Sequence, residues 1–277
     1  ISVAMGVCVV CSVFVSTAAV VLRPFQIANK EADKQKNILI AATRTPESLK
    51  GVLEKVGPEG GTSVKELFDK YVEQKWIDVS TGEYIEDPTQ LPKGYDDEKR
   101  AAKKPDLSVK LDKKKDLAKI RRRAKFRMVY KTKPAAPDQR IILPVHGKGL
   151  WSTMYGFLAL DATDLKTIRS RAFYEDGETP GLGGEINNEI WQRKWLDGKM
   201  AFNESWEVKI DVYKGEAPEG DPYKVDGLSG ATLTANGVEN LLKFWLGENG
   251  YGPFLEQRRE ELEEQRRKEL EAGGKDG

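Results

Sequence analysis

The chain reads as an α+β protein: a single N-terminal transmembrane helix followed by a soluble domain with a mainly antiparallel sheet flanked by helices. Three observations predict this. The stretch from Ile1 to Leu22 has no charged side chain and is rich in Val, Ala, Ile and Phe, matching the ~20 apolar residues that cross a bilayer. From Phe126 onward, short runs of period two are separated by glycine-rich turns, the pattern of half-buried strands. These runs are interrupted by one helical stretch and closed by another, instead of alternating with helices as a parallel sheet requires.

Residues 1–22 form the anchor. The stretch is longer than the apolar core of a cleaved signal, and Arg23-Pro24 follows it in place of a small-residue cleavage site. Orientation across the bilayer stays open, because only the charges after the helix can be counted.

Residues 23–125 read as a helical and charged extramembrane segment. Gln26 to Ala42 continues the anchor helix, and Thr62 to Gln74 places Val64, Leu67, Phe68, Tyr71 and Val72 on one stripe of a second helix. Lys93 to Arg123 carries Lys113-Lys114-Lys115 and Arg121-Arg122-Arg123 with few large apolar side chains, and reads as an exposed insertion. These basic clusters could meet anionic lipid. Asp106, Asp112 and Asp116 lie among them, which favours a solvated face.

Residues 126–252 form the compact domain. Phe126, Met128 and Tyr130 alternate with Arg127, Val129 and Lys131, and Ile141–Val145, Met154–Leu160, Ile168–Tyr174 and Val208–Tyr213 are further strands. Glu185 to Trp195 is helical. Ala231 to Leu246 closes the domain as a helix whose apolar face is Leu233, Val238, Leu241, Leu242 and Trp245. Residues 253–277 form a charged helical tail of little apolar surface.

Composition narrows the function. With 45 Lys and Arg against 44 Asp and Glu, the formal net charge is +1, so nothing directs the molecule to nucleic acid. Both cysteines, Cys8 and Cys11, lie in the anchor, so the domain has neither a disulfide framework nor a cysteine-based zinc or iron–sulfur site. Their spacing places them on one helical face, where ligation of a partner subunit's cluster or a redox pair is conceivable and packing among membrane helices is favoured. One histidine cannot build a facial metal triad. No G-x-G-x-x-G or Walker loop is present, since Ile186 stands where a third glycine after Gly181 and Gly183 belongs, so neither NADH nor ATP has a recognisable site.

The most informative stretch is Asp226-Gly227-Leu228-Ser229-Gly230-Ala231-Thr232-Leu233-Thr234, running into the closing helix. Small residues at a helix start let backbone amides point at an anion such as phosphate; an ordinary N-cap by Ser or Thr explains the same composition. A second stretch is Tyr174-Glu175-Asp176-Gly177-Glu178-Thr179-Pro180-Gly181-Leu182-Gly183-Gly184, whose glycines could admit a flat ring, with Thr179 a hydroxyl and Leu182 an apolar cover. A third is Pro144 to Ser152, with the lone His146 and Trp151. A glycine-rich loop, a structural histidine and a core tryptophan are the plainer accounts of these two.

The order Asp-x-x-Ser-Gly-Ala-Thr resembles the flavinylation motif of the FMN-binding domain family, in which a flavin transferase moves FMN from FAD onto the last threonine as a phosphoester. That threonine is Thr232. The three stretches, the anchor, Asp33–Leu39 and Val64–Phe68 follow the order and spacing of the C subunits of sodium-translocating NADH:quinone reductases, and the resemblance omits Lys93 to Arg123 and the tail. It implies a covalent FMN with Asp226, Ser229, Gly230, Ala231, Thr232, Leu233, Thr234, His146, Trp151, Thr179, Leu182 and Gly183 around it. Asp226 would orient the loop or assist the transferase's metal. The resemblance further implies an electron carrier among the other subunits of a membrane complex that handle NADH, held in the bilayer of a bacterial inner membrane with its soluble domain in the periplasm. Two other readings are the flavin subunit of an RNF-type ferredoxin:NAD oxidoreductase, and a membrane-tethered FMN-binding sensor without electron-transfer activity.

Overall fold

A computed structural model of the chain describes residues 2–45, 47–48, 50–55, 63–92, 95, 98–196 and 198–273. Helix α1, Ser2–Thr43, is continuous from the apolar stretch into the domain. It is the one helix among the described residues long and apolar enough to cross a membrane, and its apolar part is wholly exposed. Cys8 and Cys11 are free thiols on that exposed surface.

Helix α2, Val64–Tyr71, starts at a capping box, with Ser63 and Glu66 exchanging side-chain and backbone hydrogen bonds. Thr62 lies outside the described residues. The predicted helix overruns its end: Val72 opens strand β1, Val72–Asp78, and pairs with Thr132. Strand β2, Tyr84–Ile85, helix α3, Glu98–Ala101, and the antiparallel pair β3, Ser108–Lys110, and β4, Arg122–Ala124, follow.

The main sheet is completed by β5, Phe126–Thr132, β6, Arg140–Lys148, β7, Thr153–Asp161, and β8, Ile168–Glu175, in the order β2-β1-β5-β6-β7-β8 with every pair antiparallel. Residues on both sides of position 126 therefore share one sheet. Beyond it lie α4, Glu189–Arg193, the parallel pair β9, Asp211–Tyr213, and β10, Lys224–Asp226, then α5, Thr232–Leu246, and α6, Gly252–Gly273. The predicted strand from Val208 is realised only from Asp211, with Val208 in an isolated bridge to Phe202.

Two cores cover the two faces. Leu143, Val145, Leu158 and Leu160 pack with Val238, Leu241, Leu242 and Trp245 of α5; Ile142, Phe157 and Ala159 pack with Ile38, Leu39, Leu67 and Phe68 of α1 and α2. Strands β5 and β6 pair only at Tyr130–Ile142 and Lys131–Ile141. Past that point, β6 carbonyls are taken by side chains: Pro144 O accepts from Arg127 Nη2 at 3.1 Å and Tyr251 Oη at 2.8 Å, and His146 O from Trp245 Nε1 at 2.7 Å. Buried carbonyls need partners, and large polar-tipped side chains supply them where the strands diverge.

The stretch from Lys93 to Arg123 is not wholly exposed. Tyr95, Ala101, Leu107, Ala118 and Arg123 are buried, and Tyr95 packs edge-on against Trp76 and Phe126 while its hydroxyl bonds both the N–H and the carbonyl of Phe126. Few apolar residues suffice because Tyr95, Ala101 and Leu107 gather against Trp76 of β1 and Phe126 of β5 while Ala118 joins the main core; the lysine run at 113–115 does stay exposed. The tail is likewise joined to the domain: Phe254 and Leu255 at the start of α6 are buried in the main core, and Arg258 lies over the Tyr84 ring at 4.5 Å.

Candidate functional site

Helix α5 begins at Thr232, and its N-cap is Ala231, which has no side-chain hydrogen bond to give. The Ser or Thr cap allowed by the sequence is therefore not what forms. The first amides of any helix lack intrahelical acceptors, so those after Ala231 are available to an anion, with the helix dipole adding to the attraction. Thr232 and Leu233 are exposed and Thr234 is buried. The entering turn needs φ +72° at Gly230, where Leu182 Cδ2 lies 3.0 Å from the place a β-carbon would take. Ser229 is exposed beside it.

Asp226 ends β10 and holds this loop from below. Its Oδ2 is paired with Lys194, its Oδ1 accepts from Ala217 N at 2.8 Å, and its carbonyl accepts from Trp191 Nε1 at 2.7 Å. Partial burial pushes its pKa up, but the Lys194 and Ala217 bonds outweigh that and leave it lowered. Both carboxylate oxygens are engaged within the chain.

Glu178 is the hub, although nothing in its sequence neighbourhood separates it from Glu175, Asp176 or Glu185. It is 6% exposed. Its Oε1 accepts from the amides of Trp151 at 3.0 Å and Ser152 at 3.2 Å, and its Oε2 from the amide of Leu150 at 3.1 Å and the hydroxyl of Thr234 at 2.5 Å. One carboxylate thus joins the β6–β7 turn to the first turn of α5. Two glycines close onto it: a methyl group at Gly149 would lie 2.5 Å from Glu178 Oε1, and one at Gly183 would lie 2.9 Å from Oε2 and 2.6 Å from Thr234 Oγ1. The absence of a side chain at Gly183 lets Glu178 and Thr234 pack against it.

Burial raises the Glu178 pKa, but the four donors outweigh it and hold the group below its ordinary value of 4.5. The unfolded chain then binds more protons in that range than the folded one, so this contribution is complete above 4.5 and disappears as pH falls through the lowered value. The thermal midpoint is expected to drop more steeply below about pH 4.5 in the native chain than in Glu178→Gln, which has no such proton to bind. Parallel curves in a melting series would count against the clamp.

Exposed apolar side chains stand on the segments that flank Thr232. Trp151 is 66% exposed, Leu233 62%, Leu182 45% and Leu150 42%. Trp151, for which a core position was one expectation, is a surface residue on a tightly held turn, and Thr179 is exposed with its carbonyl accepting from the amides of Leu182 and Gly184. A groove of about 430 Å³ runs beside the α5 start, bordered by Leu117, Lys119, Lys148, Leu150, Leu233 and Asn236. A larger groove of about 570 Å³, between α6 and strands β1 and β2, contains none of these residues.

His146 is not brought to this place. Its ring stacks on Tyr155 at 5.3 Å and lies 5.0 Å from Trp245, near the end of α5 away from Thr232. Burial, then the charges of Arg127 and Lys99, push its pKa well below the ordinary value. In this structure it packs against Tyr155 and Trp245.

Residues 149–247, from the β6–β7 turn to the end of α5, match the FMN-binding domain family. Over 92% of its length the chain is 45% identical to the C subunit of the Na(+)-translocating NADH-quinone reductase of Vibrio parahaemolyticus, covering 92% of that protein. The chain belongs to this NqrC family. The family member of Yersinia pestis is 43% identical, with 91% of this chain and 90% of that one covered. In structure, the chain is similar to NqrC of Shewanella oneidensis, at a TM-score of 0.69 and 33% identity over 83% of this chain and 99% of that one. The corresponding protein of Parabacteroides distasonis gives a TM-score of 0.58 at 27% identity, over 84% and 96% respectively. The family is therefore that of an FMN-binding subunit of an oxidoreductase complex. The uncapped helix start and the apolar rim suit an FMN, one end of which is a dianion and the other a flat apolar ring.

Proposed function

We propose that the chain carries FMN as a phosphoester on Thr232 and relays electrons between the other subunits of a Na+-translocating NADH:quinone reductase. The observation that carries this reading is an exposed threonine as the first residue of an uncapped helix, inside an apolar rim. A flavin transferase working on FAD forms the bond from Thr232 Oγ to the flavin-side phosphorus; the anhydride bond to the other phosphate breaks, AMP leaves, and the hydroxyl proton is lost. The amides after Ala231 take the phosphate, and Leu150, Trp151, Leu182 and Leu233 shield the ring from water. FMN supplies the capacity to accept and return electrons, and the protein's part is to hold and tune it.

A fixed carrier suits a covalent bond, because a relay that exchanges no substrate gains nothing from a dissociable flavin. No nicotinamide-binding motif occurs, so NADH is handled by another subunit. The domain stands on the periplasmic side of a bacterial inner membrane, with α1 as its single span in the lipid.

The anchor helix is built into the domain. The end of α1 docks at the start of β6, where Arg140 donates to the carbonyls of Ala41 and Arg44. Ile38 and Leu39 of the same helix end share a core with Ile142 and Phe157.

The test is to isolate the complex from native membranes through a tag on this chain. NADH:quinone reductase activity and the partner subunits are expected in the same fraction. Ferredoxin:NAD activity there would favour the RNF-type reading, and the chain alone, without either activity, the sensor.

A further inference from the structure

The turn from Gly149 to Ser152 combines two properties that folding alone does not require together. Its side chains Leu150 and Trp151 are turned to solvent, yet its backbone is held from both sides: Glu178 takes three successive amides, Lys148 Nζ donates to Trp151 O at 2.7 Å, and Gly149 N donates to Ser152 O at 2.8 Å. A surface turn presenting apolar side chains can usually move freely. Here a buried carboxylate fixes it, and the same carboxylate bonds Thr234, two residues beyond Thr232.

We propose that Glu178 is a positioning residue: by clamping the Leu150–Ser152 turn to the first turn of α5, it sets the distance between the Trp151 side chain and whatever Thr232 carries. The proposal rests on Thr232 carrying FMN. A carboxylate is the group that can do this, because it offers two acceptor oxygens to four donors. Gln at this position would aim an NH2 at N–H or O–H donors and release one side of the clamp. Both Glu178 oxygens are taken by donors within the chain, so it acts through Trp151 and Thr234. An indole held against a flavin quenches its fluorescence, so the clamp has an optical signature distinct from stability.

The experiment uses the full chain made in a host with its flavin transferase, as wild type, Glu178→Gln, Gly183→Ala and Trp151→Phe. Wild type is expected to show slow amide exchange at 150–152 and strongly quenched flavin. Trp151→Phe is expected to brighten the flavin several-fold with exchange unchanged. Glu178→Gln, and Gly183→Ala from the other side of the carboxylate, are expected to speed exchange at 150–152 by at least about tenfold, one lost hydrogen bond's worth, to brighten the flavin in the same direction, and to shift its midpoint potential, while exchange in β6 to β8 stays as in wild type. A Glu178→Gln chain that stays unloaded with its core exchange intact also supports the proposal, since the turn is then needed to seat the flavin. Fast exchange at 150–152 with wild-type quenching and potential overturns it, as does wild-type exchange there. A wild-type chain without flavin fails the electron-carrier reading instead, and the exchange result still decides whether the clamp exists.

Discussion

Thr232→Ala is expected to give a chain with no flavin fluorescence on a denaturing gel, while wild type fluoresces after the same treatment. The physical case is that the fold loses nothing in the exchange. The helix is capped by Ala231 without a side-chain bond, Thr232 is exposed, and Ala is favoured over Thr inside a helix by up to about 0.7 kcal/mol. The thermal midpoint of the unloaded chain should therefore be unchanged or slightly raised, so a missing band reports the missing nucleophile and not a misfolded protein. Thr232→Ser keeps the hydroxyl and is expected to keep part of the loading. A fluorescent band that survives in Thr232→Ala would place the attachment elsewhere and remove the basis of the relay.

Arg140→Ala is expected to cost about 3 kcal/mol, the lower end for removing one partner of a buried ion pair, because Asp138 keeps some access to water. The arginine is 1% exposed. It is bidentate to Asp138, at 2.6 Å through Nε and 2.8 Å through Nη2, and donates to Ala41 O at 2.9 Å and Arg44 O at 2.7 Å. Those two carbonyls belong to the end of α1, where a helix has no internal donors left and a cation is favoured by the dipole. Truncation removes the partner of Asp138 and loosens the joint between anchor and domain together. Denaturant titration in detergent should show the loss, with amide exchange accelerated in Ile38–Thr43 first. Arg140→Lys should recover only part of it, because one ammonium cannot span four acceptors set in a fork. Unchanged exchange over Ile38–Thr43 in Arg140→Ala would mean that the joint is held by apolar packing alone.

Much of this is legible in the residues. The anchor, the strands from Phe126, the closing helix and Thr232 at its start are all local patterns, fixed by hydropathy and by short-range chain chemistry. The errors are also local in origin. Val72 continues the stripe of α2, yet it becomes the first residue of β1 because Thr132 of β5 offers a strand to pair with. The stretch around Tyr95 and Leu107 reads as too charged to bury anything, and burial there depends on Trp76 and Phe126 arriving from elsewhere.

By itself, the sequence determined the elements, the apolar span, the family and the threonine that ends the Ser-Gly-Ala-Thr stretch. The tertiary structure alone decided which of the flanking residues meet it. It set His146 against Trp245 at the other end of α5, left Trp151 in solvent, and made Glu178 the joint between the β6–β7 turn and α5. The reason is separation along the chain: Glu178 finds its donors 26 to 28 residues upstream and 56 downstream, and no period or motif encodes a hydrogen bond between segments that only folding brings together.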